Sequence, residues 1–156
     1  MFLFLSSYGL HSYVCKKPKS GDFSTPAPTT IPAGHCSEEF TEFQGYCYKM
    51  MGFVGAKAEV PTDWHGAKDG CRDLLGAELA SVHSTREAAK ITTMLLDIPY
   101  KDAEDTTTAQ VWIGAHEHDE GIWWWSDESK WDFTNWAPGE PDDMDYMEVN
   151  AFKTFY

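Results

Sequence analysis

Five carboxylates, Glu140, Asp142, Asp143, Asp145 and Glu148, fall within nine residues of a 156-residue chain. Crowding like charges this closely costs repulsion, so either water solvates each of them or a bound cation relieves them. A hard cation such as calcium suits the set, because it takes carboxylate oxygens. Held this way it keeps free coordination positions, and two neighbouring sugar hydroxyls would fill them while hydrogen-bonding to the same carboxylates. The run follows Asn135-Trp136-Ala137-Pro138-Gly139, and Pro141 inside it is a candidate for a cis peptide bond.

Other chemistries are less legible. His116-Glu117-His118 would share one strand face as a zinc pair, since residues i and i+2 point the same way. No cysteine lies nearby, and the Gly-flanked acidic setting reads better as a surface loop. Ser, His and Asp are all present, but no G-x-S-x-G elbow occurs and no nucleophile–base arrangement is legible. A glycosidase needs two carboxylates in differing environments, which composition alone does not exclude. The expectation is a binding domain, not an enzyme. Trp112, Trp123, Trp125 and Trp136 read as core, while Trp124, on the opposite face of its strand, would be free to stack on a sugar.

Composition narrows the partners. Twelve Lys and Arg against twenty-five Asp and Glu give a net charge of -13. That balance argues against nucleic acid, which needs a basic face, although a solvated acidic surface is equally consistent with it. Hydrophobic residues make up 42% and aromatics 15%, a globular composition with a real core. No apolar run is long enough to cross a membrane, so a membrane would be reached only through parts of the protein outside this chain. Met1–Leu5 is too short for a signal-peptide core, which leaves a weak export signal or a true start upstream. The four cysteines form no C-x-x-C pair, so a disulfide framework and an oxidising compartment are expected over zinc.

The elements that must position these residues follow from pattern. Residues 1–17 end in the strand-like Tyr13-Val14-Cys15-Lys16-Lys17. Residues 18–34 contain four Pro and read as an extended, semi-rigid linker. The folded domain covers 35–156. Within it, Phe43–Lys49 reads as a strand in a hairpin that a Cys36–Cys47 disulfide can close. Asp63 is an N-cap for a helix with Trp64, Ala67, Cys71, Leu74 and Leu75 on one face, ended by Gly76. Leu79–Val82 is a short strand. Ser84-Thr85-Arg86-Glu87 is a capping box for a helix carrying Ala88, Ile91, Leu95 and Ile98 that stops at Pro99. Asp102–Asp105 is loop, and Val111–Gly114 and Ile122–Trp125 are strands. Two helices followed by a loop-rich β region indicate α+β, with function in the long loops.

Several separated segments, in order, resemble a C-type lectin-like domain. They are Phe43-Gln44-Gly45-Tyr46-Cys47-Tyr48, Trp64 and Ala67 leading to Cys71-Arg72, and Glu78-Leu79-Ala80-Ser81-Val82-His83-Ser84. Val111-Trp112-Ile113-Gly114, Trp125-Ser126-Asp127 and Phe133-Thr134-Asn135-Trp136-Ala137-Pro138-Gly139-Glu140-Pro141 complete the set. The resemblance implies two helices packed on small antiparallel sheets with a long loop region. It implies an extracellular or cell-surface domain that binds a glycan or glycoprotein through calcium. It makes Tyr13-Val14-Cys15-Lys16-Lys17-Pro18 look like the closing strand of a preceding domain, as in mannose-receptor-like tandem arrays, with the partner of Cys15 before residue 1.

Carried over by position, Glu140, Asp142 and Glu148 would contact sugar. Glu140, Asp142, Asp143, Asp145 and Glu148 would ligate calcium, with Glu117 and Glu120 among the acids near an auxiliary ion. In the family Glu-Pro-Asn favours mannose-type and Gln-Pro-Asp galactose-type sugars. Glu140-Pro141-Asp142 is a hybrid with a mannose/fucose lean, and the aromatic Gly-rich loop that accompanies galactose binding is missing. The best register places Met144-Asp145-Tyr146 at the family's Glu-Asp-Cys-like triplet and Met147–Asn150 on the strand beyond it. A second register puts Glu148 at the ligand position. Met144 and Tyr146 depart from the pattern, and the family's Trp-Asn-Asp segment and closing strand would lie beyond Tyr156, leaving Cys71 unpaired. These departures favour, as alternatives, a calcium-independent module binding protein or lipid, or an incomplete gene fragment.

Overall fold

The computed structural model describes residues 2–6, 12–19, 36–51, 63–97, 108–119, 121–136, 138, 140–141 and 146–152. Expectations for Ile98, Pro99, Asp102–Asp105, Glu120, Asp142–Asp145 and most of the linker lie outside them.

The strands are β1 (Phe2–Ser6), β2 (Ser12–Pro18), β3 (Thr41–Phe43), β4 (Tyr46–Met51), β5 (Glu78–Leu79), β6 (Thr108–Asp119), β7 (Ile122–Trp125) and β8 (Tyr146–Phe152), with helices α1 (Trp64–Leu75) and α2 (Thr85–Leu96). One sheet runs β1-β8-β6-β2-β4-β3, with β5 paired to β2 and β7 to β6. Most pairs are antiparallel, but β2 runs parallel to β6, with Tyr13 opposite Trp112. Two helices and a mixed sheet make the fold α+β, as the sequence indicates.

Both helices have the caps the sequence specifies. The Asp63 carboxylate accepts from Gly66 N at 2.8 Å, and Gly76 closes α1 at φ 53°, a left-handed conformation that glycine adopts without a Cβ clash. Ser84 Oγ accepts from Glu87 N at 3.2 Å. The reciprocal half of the capping box is displaced: Glu87 reaches back to His83 N, one residue before the cap.

Strand alternation divides the core between the two helices. Val14, Val111 and Ile113 pack with Ala88, Ile91 and Leu95 of α2. Tyr13, Cys15 and Trp112 point the other way and pack with Trp64, Ala67 and Cys71 of α1. Each helix therefore covers one face, which is why Tyr13–Lys16 and Val111–Ala115 are buried without interruption.

Several expectations are corrected. Phe43–Lys49 is not one strand. Gln44 (φ 49°) and Gly45 (φ 86°) form the turn between β3 and β4, and two consecutive positive φ values are what a tight right-twisted hairpin requires. Leu74 is 66% exposed, because the apolar stripe of α1 ends on Cys71 with Leu75 at its margin. The strand observed there is Glu78–Leu79, so of the expected Leu79–Val82 only Leu79 lies in it. His116-Glu117-His118 lies in β6, opposite Trp124 and Trp123, not in a loop.

The disulfides give the largest correction. Cys36–Cys47 forms as anticipated. Cys15, however, bonds Cys71 of α1 across a sequence separation of 56, so neither lacks a partner. The strand that resembles the close of a preceding domain lies inside this sheet, hydrogen-bonded to β4, β5 and β6.

Candidate functional site

The acidic run sits in the connection between β7 and β8, and that connection is held at its start by polar groups. Ser126 N donates to Gly114 O at 2.7 Å, and Gly114 N to Ala80 O at 2.9 Å. Gly114 has no room for a side chain: a Cβ there would meet Leu79 O at 2.9 Å. Asp127 then accepts from Ser81 Oγ and Ser129 Oγ, each at 2.5 Å. His83 joins the cluster, with Nε2 3.1 Å from Ser129 Oγ and Nδ1 2.7 Å from Asp132 Oδ1.

Ser129, His83 and Asp132 thus stand in the order of a hydrolytic triad, a constellation invisible in sequence because 46 residues separate His83 from Ser129. The Ser129 proton, however, goes to Asp127 and not to the imidazole. A nucleophile needs that proton facing its base. The cluster works as a clamp that fixes the loop against the segment before α2.

Tryptophans anchor the next stretch. Trp131 stacks on Trp123 at 6.3 Å and lies 4.6 Å from Trp125, and Trp136 meets Trp123 edge-on at 4.9 Å. Trp112, Trp123 and Trp125 are buried, and Trp136, partly buried, packs against the cluster that holds Trp123 and Trp125. Trp124 is 51% exposed beside Ile122 at 51%.

From Trp136 the chain reaches Glu140, which is half-buried and followed by a cis Glu140–Pro141 bond. It re-enters the sheet at β8, where the backbone of Glu148 pairs with Trp112. The Met147–Asn150 strand expected from the preferred register falls inside β8. Glu140 and Glu148 therefore flank a connection held to β7 through Trp136 at one end and to β6 through β8 at the other. Glu117 is placed elsewhere: its carboxylate accepts from Gly121 N and closes the β6–β7 turn. Among the described residues, no three His, Cys, Asp or Glu are placed to share a metal. A donor set of carboxylate oxygens would suit a hard cation such as calcium.

A second charged group lies beneath this region. Lys16 Nζ donates to Glu87 Oε1 at 2.8 Å and to Ser81 O at 3.0 Å, and Tyr48 OH donates to the same Glu87 oxygen at 2.8 Å. Burial alone would raise the Glu87 carboxyl. The Lys16 charge and the three hydrogen bonds outweigh it and hold Glu87 below its ordinary value. Burial and the Glu87 charge push the Tyr48 phenol far upward, so it remains a donor. His116, desolvated against Trp64 at 5.0 Å, is held below the usual imidazole range.

The model of the Lectin C-type domain matches residues 60–149. A "C-type lectin galactose-binding isoform" from Hoplocephalus stephensii is 34% identical over 109 residues, 69% of this chain and 61% of that protein. Struthiocalcin-2 from Struthio camelus is 36% identical over 105 residues, 65% of this chain and 68% of its own. C-type mannose receptor 2 from Rattus norvegicus is 29% identical over 135 residues, 83% of this chain but 8% of the receptor. No solved structure matches.

Proposed function

The chain belongs to the C-type lectin domain family, and we propose that it binds carbohydrate through calcium held by the loop between β7 and β8, outside the cell or at its surface. The carrying observation is the concentration of Glu140, Asp142, Asp143, Asp145 and Glu148 within nine residues of the connection that leaves β7 and enters β8, anchored at its start by Trp136 on Trp123 and at its end by the pairing of β8 with β6. Glu140, Asp142 and Glu148 would contact the sugar. Glu140, Asp142, Asp143, Asp145 and Glu148 would ligate the ion, which when bound supplies open coordination positions for vicinal hydroxyls. Glu117 and Glu120 are the auxiliary candidates, and the Gly121 amide competes for the Glu117 carboxylate.

Relatives support the ligand class without selecting the sugar: some are named galactose-binding, one from Notechis scutatus scutatus is named mannose-binding, and one is a mannose receptor. Glu140 gives the mannose/fucose lean. Two disulfides support an oxidising compartment.

The test is retention on immobilised mannose, fucose and galactose. Retention in calcium, elution by chelator and loss of retention in Glu140→Gln are expected, with mannose or fucose retaining more than galactose. Retention that chelator leaves unchanged overturns the calcium mechanism.

A further inference from the structure

The β7–β8 connection begins with a chain of hydrogen bonds whose protons can be counted. The carboxylates of Asp127 and Asp132 can only accept. Asp127 Oδ2 takes the Ser81 hydroxyl proton, and Asp127 Oδ1 takes the Ser129 amide at 3.0 Å and the Ser129 hydroxyl at 2.5 Å. A serine has one hydroxyl proton, so Ser129 Oγ faces His83 Nε2, 3.1 Å away, only as an acceptor. On the other side of the ring Nδ1 lies 2.7 Å from Asp132 Oδ1, again an acceptor. Both ring nitrogens therefore have to donate, and imidazole carries two protons only as the cation.

A neutral ring turns a lone pair on Asp132 or on Ser129, or it draws the Ser129 proton off Asp127. Each alternative removes one bond from the latch. The latch joins two pieces of chain, because His83 precedes α2 while Ser129 and Asp132 belong to the connection. Between them Trp131 packs on Trp123 and Trp125, and further along Trp136 packs on Trp123 ahead of Glu140. The His83 side chain is 27% exposed, so it exchanges protons with water. Asp132 faces the ring in direct contact, and Asp127 faces it through Ser129. From α2 comes Glu87, which accepts from His83 N and holds Lys16 of β2 on its other oxygen. Trp125, with its ring 6.0 Å away, brings no charge.

We infer that protonated His83 latches the β7–β8 connection and that loss of its proton releases it, so that the order of the loop depends on pH through this one histidine. A fall in pH closes the latch and a rise opens it. The latch follows from hydrogen-bond chemistry alone, whereas its effect on a ligand rests on the proposed calcium site. A loop already ordered loses less freedom when calcium binds, and by linkage calcium uptake draws a proton onto His83.

The first measurement uses the calcium-free, 15N-labelled full chain from about pH 5 to pH 8, the interval in which histidines exchange a proton. Long-range 1H–15N spectra read each ring nitrogen, with His83→Gln identifying the signals. Exchange of the Glu128 and Ser129 amides, corrected for its intrinsic pH dependence, reads the latch. Both ring nitrogens protonated at the acid end are expected, and amide protection should fall at least several-fold as the ring loses its proton. A neutral ring accepting at Nε2 while the amides stay protected overturns the inference. So does a ring whose charge is the same throughout, or deprotonation that leaves protection unchanged.

Asp132→Asn removes the need for the cation, because its amide donates to an unprotonated Nδ1 while Nε2–H still meets Ser129 Oγ. Protection in this variant should hold to the alkaline end, and His83→Gln should show the lower protection at every pH. Loosening of Asp132→Asn in step with the natural chain places the response elsewhere and counts against the latch. Calcium calorimetry reads the consequence: the affinity of the natural chain relative to Asp132→Asn should fall several-fold from the acid to the alkaline end. A constant ratio in a chain that takes calcium overturns the link to the ligand. No calcium uptake by either protein at any pH overturns the proposed function, and the latch is then decided by the calcium-free measurement.

Discussion

Lys16 Nζ lies 2.8 Å from Glu87 Oε1 across 71 residues of sequence, with both side chains almost fully buried. The pair links an N-terminal strand, the cap of α2 and, through Ser81, the clamp on Asp127 that starts the acidic loop. A buried pair of this kind is costly to break singly, because the remaining charge stays desolvated.

Lys16→Met should therefore cost about 3–5 kcal/mol, and Lys16→Met with Glu87→Met should recover much of that loss. Urea unfolding of the four proteins of this cycle supplies the coupling energy. A loss in the double variant equal to the sum of the two single losses would show that the pair contributes no coupling.

The same carboxyl makes stability pH-dependent. Glu87 titrates lower in the folded state than in the unfolded chain, so the unfolded chain binds the extra proton first. The stabilisation is full above about pH 5 and is lost as pH falls through the ordinary carboxylate range near 4.3 toward the folded value. Midpoints of urea unfolding measured from pH 7 to pH 3 should fall more steeply for the natural chain than for Glu87→Gln.

The two disulfides should differ in worth. Chain-entropy reasoning applied to separations of 56 and 11 makes Cys15–Cys71 the more stabilising by about 1.4 kcal/mol at 25 °C. Thermal unfolding of the paired serine variants checks the order, with the Cys15/Cys71 variant expected to melt lower.

Neighbouring tryptophans on β7 should respond oppositely. Trp125→Ala removes a buried ring packed on Trp131 and should cost about 3–5 kcal/mol. Trp124→Ala removes a half-exposed ring that meets His118 at 6.2 Å, and should change stability by about 0.5 kcal/mol or less. Denaturant midpoints distinguish the two outcomes.

The clamp should be separable from the core. His83→Ala removes two hydrogen bonds to Ser129 and Asp132 and should leave the Trp123–Trp136 packing in place. Faster proteolysis within 126–145, with little change in the far-ultraviolet circular dichroism of the helices, is expected.

Sequence by itself determined what is local and periodic. Asp63, Ser84, Gly76 and the 3.6-residue spacing of Ala88, Ile91 and Leu95 specify both helices, because caps and helical faces are satisfied within a few residues. Period two settled which tryptophans of Ile122–Trp125 are buried, and an eleven-residue separation sufficed for Cys36–Cys47. The acidic run was equally plain as composition. Only tertiary structure decided that Cys15 meets Cys71, that β2 lies parallel to β6, and that Ser129, His83 and Asp132 converge. A strand's free N–H and C=O groups can pair with any other strand, and a thiol or imidazole carries no record of a distant partner. Those choices are made by burial of both faces of the sheet at once, which no window of sequence contains.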